Sequence, residues 1–160
     1  MRVQFEEGPI EDIVIKPLNL FIDQRGWLTE LFRSDDELPR GYQPAMGYIS
    51  LTHAGVVRGP HEHLEQTDYL CFLGRFTLYL WDNRKDSPTY LRKMVIDDTK
   101  NTVIVVPPGV VHAYENKEDT DALVLNFPDR LYAGRGKKER VDEIRHENDP
   151  NSPFRVRSGS

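Results

Sequence analysis

At 160 residues the chain is long enough for one domain and short for two. Its net charge of −5, with 21 basic and 26 acidic residues scattered along the sequence, argues against a nucleic-acid footprint but leaves room for one phosphorylated small molecule. A single cysteine, Cys71, excludes an internal disulfide, no apolar run nears the roughly 20 residues of a membrane helix, and the N-terminus lacks a signal-peptide layout, so the expected location is the cytoplasm.

In chain order, the first predicted element is a strand near Ile13–Ile15, within an N-terminal arm over about residues 1–20. Gly26 marks a turn, and Trp27 beside it is expected in the core. A short helix is expected at Ser34–Leu38, with Ser34 as cap and Glu37 three residues on. Runs rich in β-branched and aromatic residues follow at Tyr48–Leu51, Tyr69–Leu73, Phe76–Trp81, Thr102–Val106 and Ala122–Phe127. Cys71 and Trp81 lie inside such runs and are expected to be buried. Turn signals at Gly59-Pro60, Asp86-Ser-Pro88 and Pro107-Pro-Gly109 separate them, and long 3.6-residue periodicity is missing. Short strands with this punctuation define an all-β sandwich or barrel, one domain over residues 1–160. Asp82 is expected to cap or pair with Arg84 at a strand end, and Asn116 to satisfy backbone groups in its turn. The charged tract Gly136 to Glu147 reads as a solvated helix or loop over the barrel's edge, within a C-terminal edge and tail over about 133–160. No function is assigned to Arg157-Ser-Gly-Ser160.

Three of the five histidines fall in two short segments. Residues i and i+2 of a strand share a face, so His61 and His63 point one way and Glu62 the other. In a barrel one of those faces is the lumen. His112, after Pro107-Pro-Gly109, can enter the same lumen from a second strand. A shared pocket lined by His61, His63 and His112 follows.

These segments resemble the cupin superfamily. Its first motif is matched by Gly55, His61 and His63, with Asp68 where glutamate is usual and Gly74 one residue early. Its second is matched by Pro107, Gly109, His112 and Asn116. The resemblance implies a double-stranded β-helix, or jelly-roll barrel, a fold that hosts many activities.

A narrower resemblance covers most of the chain. Asp23-Gln-Arg25-Gly-Trp-Leu-Thr-Glu30-Leu-Phe, Gly55-Val-Val-Arg58-Gly-Pro-His61, Trp81-Asp82-Asn-Arg84 with Ser87-Pro-Thr89, and Pro108-Gly-Val-Val-His112 look like the dTDP-4-dehydrorhamnose 3,5-epimerase family. The resemblance implies a metal-free homodimer acting on a dTDP-4-keto-6-deoxyhexose, with the N-terminal strand near Ile13–Ile15 pairing across the interface. A C4 ketone acidifies the protons on C3 and C5; a base removes one and an acid returns a proton on the opposite face. His61 stands where the family has its base. Arg25, Glu30 and Arg58 match positions that hold the nucleotide-sugar, and a guanidinium fork suits phosphate oxygens. His112 matches a pocket position, and Tyr132 matches the aromatic that stacks on the thymine ring.

The sequence departs from the family at four places. Asn126 stands where the family has its acid, a tyrosine, and an amide gives up no proton at accessible pH. Asp68 stands where a lysine steadies the enolate, and a carboxylate there repels it. The family's C-terminal aspartate, partner of the base, lies beyond the end of this chain. His63 replaces an aromatic or glutamine. Three readings stay open. One is an epimerase or isomerase using His61, with no cofactor and its acid moved to Tyr48 or Tyr114, although a buried hydrogen-bonded phenol is the commoner role for either. Another is a metal-dependent cupin enzyme in which His61, His63, Asp68 and His112 hold Zn, Fe, Mn, Ni or Cu. The third is a non-catalytic sugar or nucleotide binder. None of them involves nucleic acid or a membrane.

Overall fold

Strand after strand in this chain alternates its side chains between two buried environments. The computed structural model describes residues 2–157. A six-stranded sheet orders β1 (Glu6–Glu7), β9 (Arg92–Ile96), β8 (Phe76–Asp82), β11 (Val110–Asn116), β6 (Val57–Glu62) and β13 (Ile144–Arg145). A five-stranded sheet orders β2 (Val14–Pro17), β10 (Thr102–Val106), β7 (Asp68–Phe72), β12 (Ala122–Asn126) and β5 (Tyr48–Thr52). A separate hairpin joins β3 (Leu20–Asp23) to β4 (Gly26–Thr29). The described residues contain two short 3-10 turns and no α-helix. All five apolar runs singled out in the sequence from Tyr48 to Phe127 are strands.

The core lies between the sheets. Phe76, Leu78 and Leu80 of β8 meet Leu70, Phe72, Ile104, Val106 and Val124, all buried. Phe72, Phe76 and Tyr114 pack edge to face or tilted, with centroids 5.4 to 5.5 Å apart. Each such side chain contributes about 1.5 to 3 kcal/mol by leaving water. The opposite faces are covered too, so β7 and β11 are buried along their whole length. Trp81, Val111 and Ala113 lie under Phe154 of the C-terminal segment. Tyr69, Cys71, Val103 and Val105 lie under Leu31, Phe32, Leu38 and Tyr42. Burial pushes the Cys71 thiol up to about 12, which keeps it protonated and inert.

Two expectations are corrected. Ser34–Leu38 forms a turn, not a helix. The Asp36 carboxylate accepts the Arg33 N–H and pairs with Lys16, and Pro39 biases Leu38 away from helical geometry. Trp27 is 58% exposed on the β3–β4 hairpin, because that hairpin joins neither main sheet. The N-terminal strand uses one edge within its own chain, with Val14 opposite Val105 and Ile15 opposite Ile104. The charged tract is a loop that ends in β13, where Ile144 and Arg145 pair with Glu62 and His61. Residues 158–160 of the tail lie outside the described residues.

Candidate active site

The site begins with a bulge. His112 of β11 pairs with His61 of β6, but the next inward residue, Tyr114, pairs with Arg58. Two residues, Gly59 and Pro60, stand opposite one, Ala113. On a regular strand Arg58 and His61, three apart, would face opposite ways; the extra residue turns both toward the lumen. Gly59 has φ +88°, and a Cβ there would lie 2.6 Å from the His112 carbonyl oxygen. Only glycine fits.

His61, His63 and His112 converge as expected: a ligand nitrogen from each lies within 4.8 Å of the others. Glu62 points the other way, accepting from Asn83 Nδ2 at 2.9 Å and meeting His146 Nε2 at 2.8 Å. Asp68 joins the histidines from β7. Its Oδ2 lies 3.1 Å from both His63 Nε2 and His112 Nε2. Its Oδ1 accepts from Gln66 Nε2 at 2.7 Å and Asn126 Nδ2 at 2.9 Å. Burial opposes the Asp68 charge, but the facing imidazoles hold the carboxyl well below the usual range. Burial likewise opposes charge on His63, yet its bond to Asp68 and the Asp142 carbonyl raise it to about 9. His61 is pushed down to about 2, first by burial and then by His112 and His63, and is held neutral.

His112 is set differently. Its Nδ1 lies 3.0 Å from the Val110 carbonyl, so in the neutral ring Nδ1 carries the proton and Nε2 a lone pair. That Nε2 is buried without a hydrogen-bond partner, although Asp68 Oδ2 lies 3.1 Å away.

Two cavities share this wall. One, of about 460 Å³, is lined by His61, His63, Asp68, His112, Arg58, Tyr48 and Tyr114. The other, of about 380 Å³, is lined by Tyr132, Met46, Leu131 and Lys137 and shares Tyr48, His63, Glu143 and Arg145 with the first. Arg58 is braced by Nε to Thr52 Oγ1 at 2.8 Å and Nη2 to the Leu51 carbonyl at 2.7 Å. Tyr132 is 56% exposed and offers its ring to the second cavity. Arg25 and Glu30 are not brought here. Arg25 is 86% exposed and pairs with Asp23 on the hairpin, and Glu30 pairs with Arg33.

Asp142, Glu143 and Arg145 were not singled out in the sequence. The Asp142 carboxylate accepts the N–H groups of Leu64, Glu65 and Gln66 at 2.7 to 2.9 Å and fixes the loop after His63. The one signal was the pair Val141 and Ile144, β-branched residues in a charged tract. Asp82 pairs with Arg84 as expected, and Asn116 satisfies the carbonyls of Thr52 and Thr120.

Two packed sheets, antiparallel but for the short β1 edge, and a cavity lined by His-x-His and a third histidine define a cupin-type jelly-roll barrel. The chain belongs to the dTDP-4-dehydrorhamnose 3,5-epimerase family, whose profile matches residues 7–148. It is 41% identical over 128 residues to the probable low-salt glycan biosynthesis epimerase Agl13 of Haloferax volcanii, covering 77% of this chain and 81% of that protein. It is 29% identical over 126 residues to the spore coat polysaccharide biosynthesis protein SpsL of Bacillus subtilis, covering 77% and 82%. Among solved structures, the dTDP-4-dehydrorhamnose 3,5-epimerase of Sulfolobus tokodaii is similar at TM-score 0.66 and 26% identity, covering 91% of this chain and 82% of that one. A dTDP sugar isomerase of Desulfovibrio desulfuricans shares the fold at TM-score 0.76 and 23% identity, covering 91% of both chains.

Proposed function

We propose that this chain is a sugar-nucleotide epimerase acting on a dTDP-4-keto-6-deoxyhexose or a related keto-sugar. The observation that carries the reading is where His61 sits: its imidazole lines a cavity that shares a wall with a second, aromatic-lined one. The sugar occupies the histidine cavity, with its C4 ketone carbon next to the carbon that faces His61. His61 removes the proton from a carbon next to that ketone, and the electron pair moves onto the ketone oxygen. Arg58 meets the diphosphate, His112 lines the sugar subsite, and Tyr132 stacks on the base.

The protein works as a homodimer on this reading. Phe21, Ile22, Trp27 and Leu28 are all more than half exposed on the β3–β4 hairpin, a patch that a second copy would cover. Arg25 and Glu30, outside the cavity of their own chain, would serve the ligand only from that copy. No described helix is long and apolar enough to cross a membrane. The reading puts the protein in the cytoplasm, where a lone buried thiol is at ease.

The test is product configuration. Incubation with the dTDP-4-keto-6-deoxyhexose, borohydride reduction and sugar analysis should give products inverted at C3, C5 or both. Recovery of the starting configuration alone would overturn the reading.

One observation favours a second reading. The unpartnered lone pair of His112 Nε2 faces a carboxylate oxygen, and two lone-pair donors that close call for a proton or a cation between them. A divalent ion held by His61, His63, His112 and Asp68 would polarise the ketone in place of the family's lysine. Titration with Zn, Fe, Mn, Ni or Cu should then show one equivalent bound to the wild type and none to His112→Ala. An unfilled site at saturating metal would leave the metal-free reading alone.

A further inference from the structure

We infer that Tyr48 is the acid that returns the proton, delivered from the strand across from the position where the family's tyrosine stood. The inference rests on the epimerase reading above and supplies the group that reading lacks.

Asn126 on β12 and Tyr48 on β5 are direct partners in the antiparallel register. Directly opposed residues of such a pair share a face of the sheet. Asn126 faces the lumen, where it touches Asp68, so Tyr48 faces the same space one strand over. A phenol lost at 126 and present at 48 has therefore moved by one inter-strand spacing, about 5 Å, without leaving the cavity.

The amide now at 126 is locked in one orientation. Its Oδ1 accepts the Tyr69 N–H at 2.9 Å. Its Nδ2 is thereby turned toward the site, donating to Asp68 Oδ1 and to the Tyr48 phenol oxygen, each at 2.9 Å. An amide N–H can only donate, so the phenol oxygen accepts and its own O–H is left for another partner. Among the described residues no group accepts that proton. Tyr48 lines both cavities, at the junction a nucleotide-sugar with its sugar among the histidines would cross.

Tyr114, the other phenol in reach, is bound differently. It is 7% exposed, and its ring packs edge to face on Phe72 and Phe76 in the core. Tyr48 is 47% exposed. Loss of hydration, aided by the Asp68 charge, pushes the Tyr48 phenol up to about 12, so it carries its proton at every working pH.

The steps balance. His61 takes the proton from carbon, the C–H pair forms the enolate, and the imidazole becomes an imidazolium. The enolate carbon then takes the Tyr48 proton on its other face, the ketone reforms, and the phenolate stays bonded to Asn126 N–H. Proton return from the imidazolium to the phenolate through water restores both groups. Asn126 is a positioning residue in this scheme: it touches the acid and not the sugar.

The test compares wild type with Tyr48→Phe in D2O, following inversion and deuterium uptake separately by NMR. Tyr48→Phe should lose about 100-fold or more in the rate of inversion, the range typical of a removed general acid. It should still take up deuterium with retained configuration, because His61 can return a solvent deuteron to the face it came from. Asn126→Ala should lower kcat for inversion and leave KM within about twofold. Wild-type inversion by a folded Tyr48→Phe protein would overturn the assignment, as would loss of inversion in Tyr114→Phe with Tyr48→Phe unaffected. A wild type that neither exchanges nor inverts would instead overturn the epimerase reading on which the assignment rests.

Discussion

Replacing Asp82 with asparagine tests how the barrel end that carries His112 is held. Asp82 sits at the end of β8, opposite Val110, two residues before His112. Its side chain is fully buried. Oδ1 accepts from Arg84 N and Nε at 3.0 and 2.9 Å. Oδ2 accepts from Arg84 Nη2, Ser87 Oγ and Thr89 Oγ1 at 2.6 to 2.9 Å. Burial opposes the charge, but these donors outweigh it and hold the carboxyl down to about 2, against 3.8 for a free aspartate. That difference corresponds to about 2 kcal/mol of stability. The sign follows from the depressed value. The contribution is complete above about pH 4 and is lost as pH falls toward 2, where the folded carboxylate at last takes a proton. In Asp82→Asn the ion pair vanishes, and an NH2 group faces Arg84 where an acceptor stood. The total loss should be about 2 to 4 kcal/mol, which lowers Tm by roughly 5 to 15 °C for a domain this size. Thermal unfolding by circular dichroism at pH 7 measures it. The gap between variant and wild type should also narrow by about 2 kcal/mol as pH drops from 4 to 2. A variant melting within 1 °C of wild type at pH 7 would refute the reasoning.

The remaining predictions concern the site and the assembly. Gly59→Ala should destabilise by about 2 to 4 kcal/mol and impair catalysis, because its Cβ meets the His112 carbonyl at a positive φ; an unchanged Tm would show that the bulge is pliable. Arg58→Ala should weaken binding of a dTDP ligand by about 10- to 150-fold, the loss of one charge-assisted bond of about 1.5 to 3 kcal/mol, measured by calorimetry. Ile22→Asp with Trp27→Glu should convert a dimer to a monomer in sedimentation, since both side chains lie on the exposed hairpin; a wild type that sediments as one chain would remove the dimer from the account.

The barrel was legible because its strands are apolar, β-branched and bounded by Gly and Pro. The convergence of His61, His63 and His112 was legible for a simpler reason: a period of two and a Pro-x-Gly turn fix where those rings point. The bulge at Gly59-Pro60 was not, since one extra residue against Ala113 leaves no periodic trace, yet it brings Arg58 and His61 onto one face. Trp27 misled because size and apolarity predict burial, whereas the hairpin that carries it joins neither main sheet and leaves it exposed. Ser34–Leu38 has cap-like residues, but Lys16 claims Asp36 from 20 positions away and Pro39 closes the segment. Arg25 and Glu30 sit in matching family blocks, and a single chain keeps them out of the cavity. Asn126 looked like a simple loss of the acid; only the register shows Tyr48 directly across from it.

The central claim is that His61 abstracts a proton from a carbon next to a sugar ketone, and solvent isotope exchange tests it most directly. The protein is incubated in D2O with the dTDP-4-keto-6-deoxyhexose, and C3 and C5 are followed by NMR. The account predicts deuterium at one or both carbons with wild type, and background uptake only with a folded His61→Ala variant. Absence of uptake by wild type, or equal uptake by the variant, would contradict it.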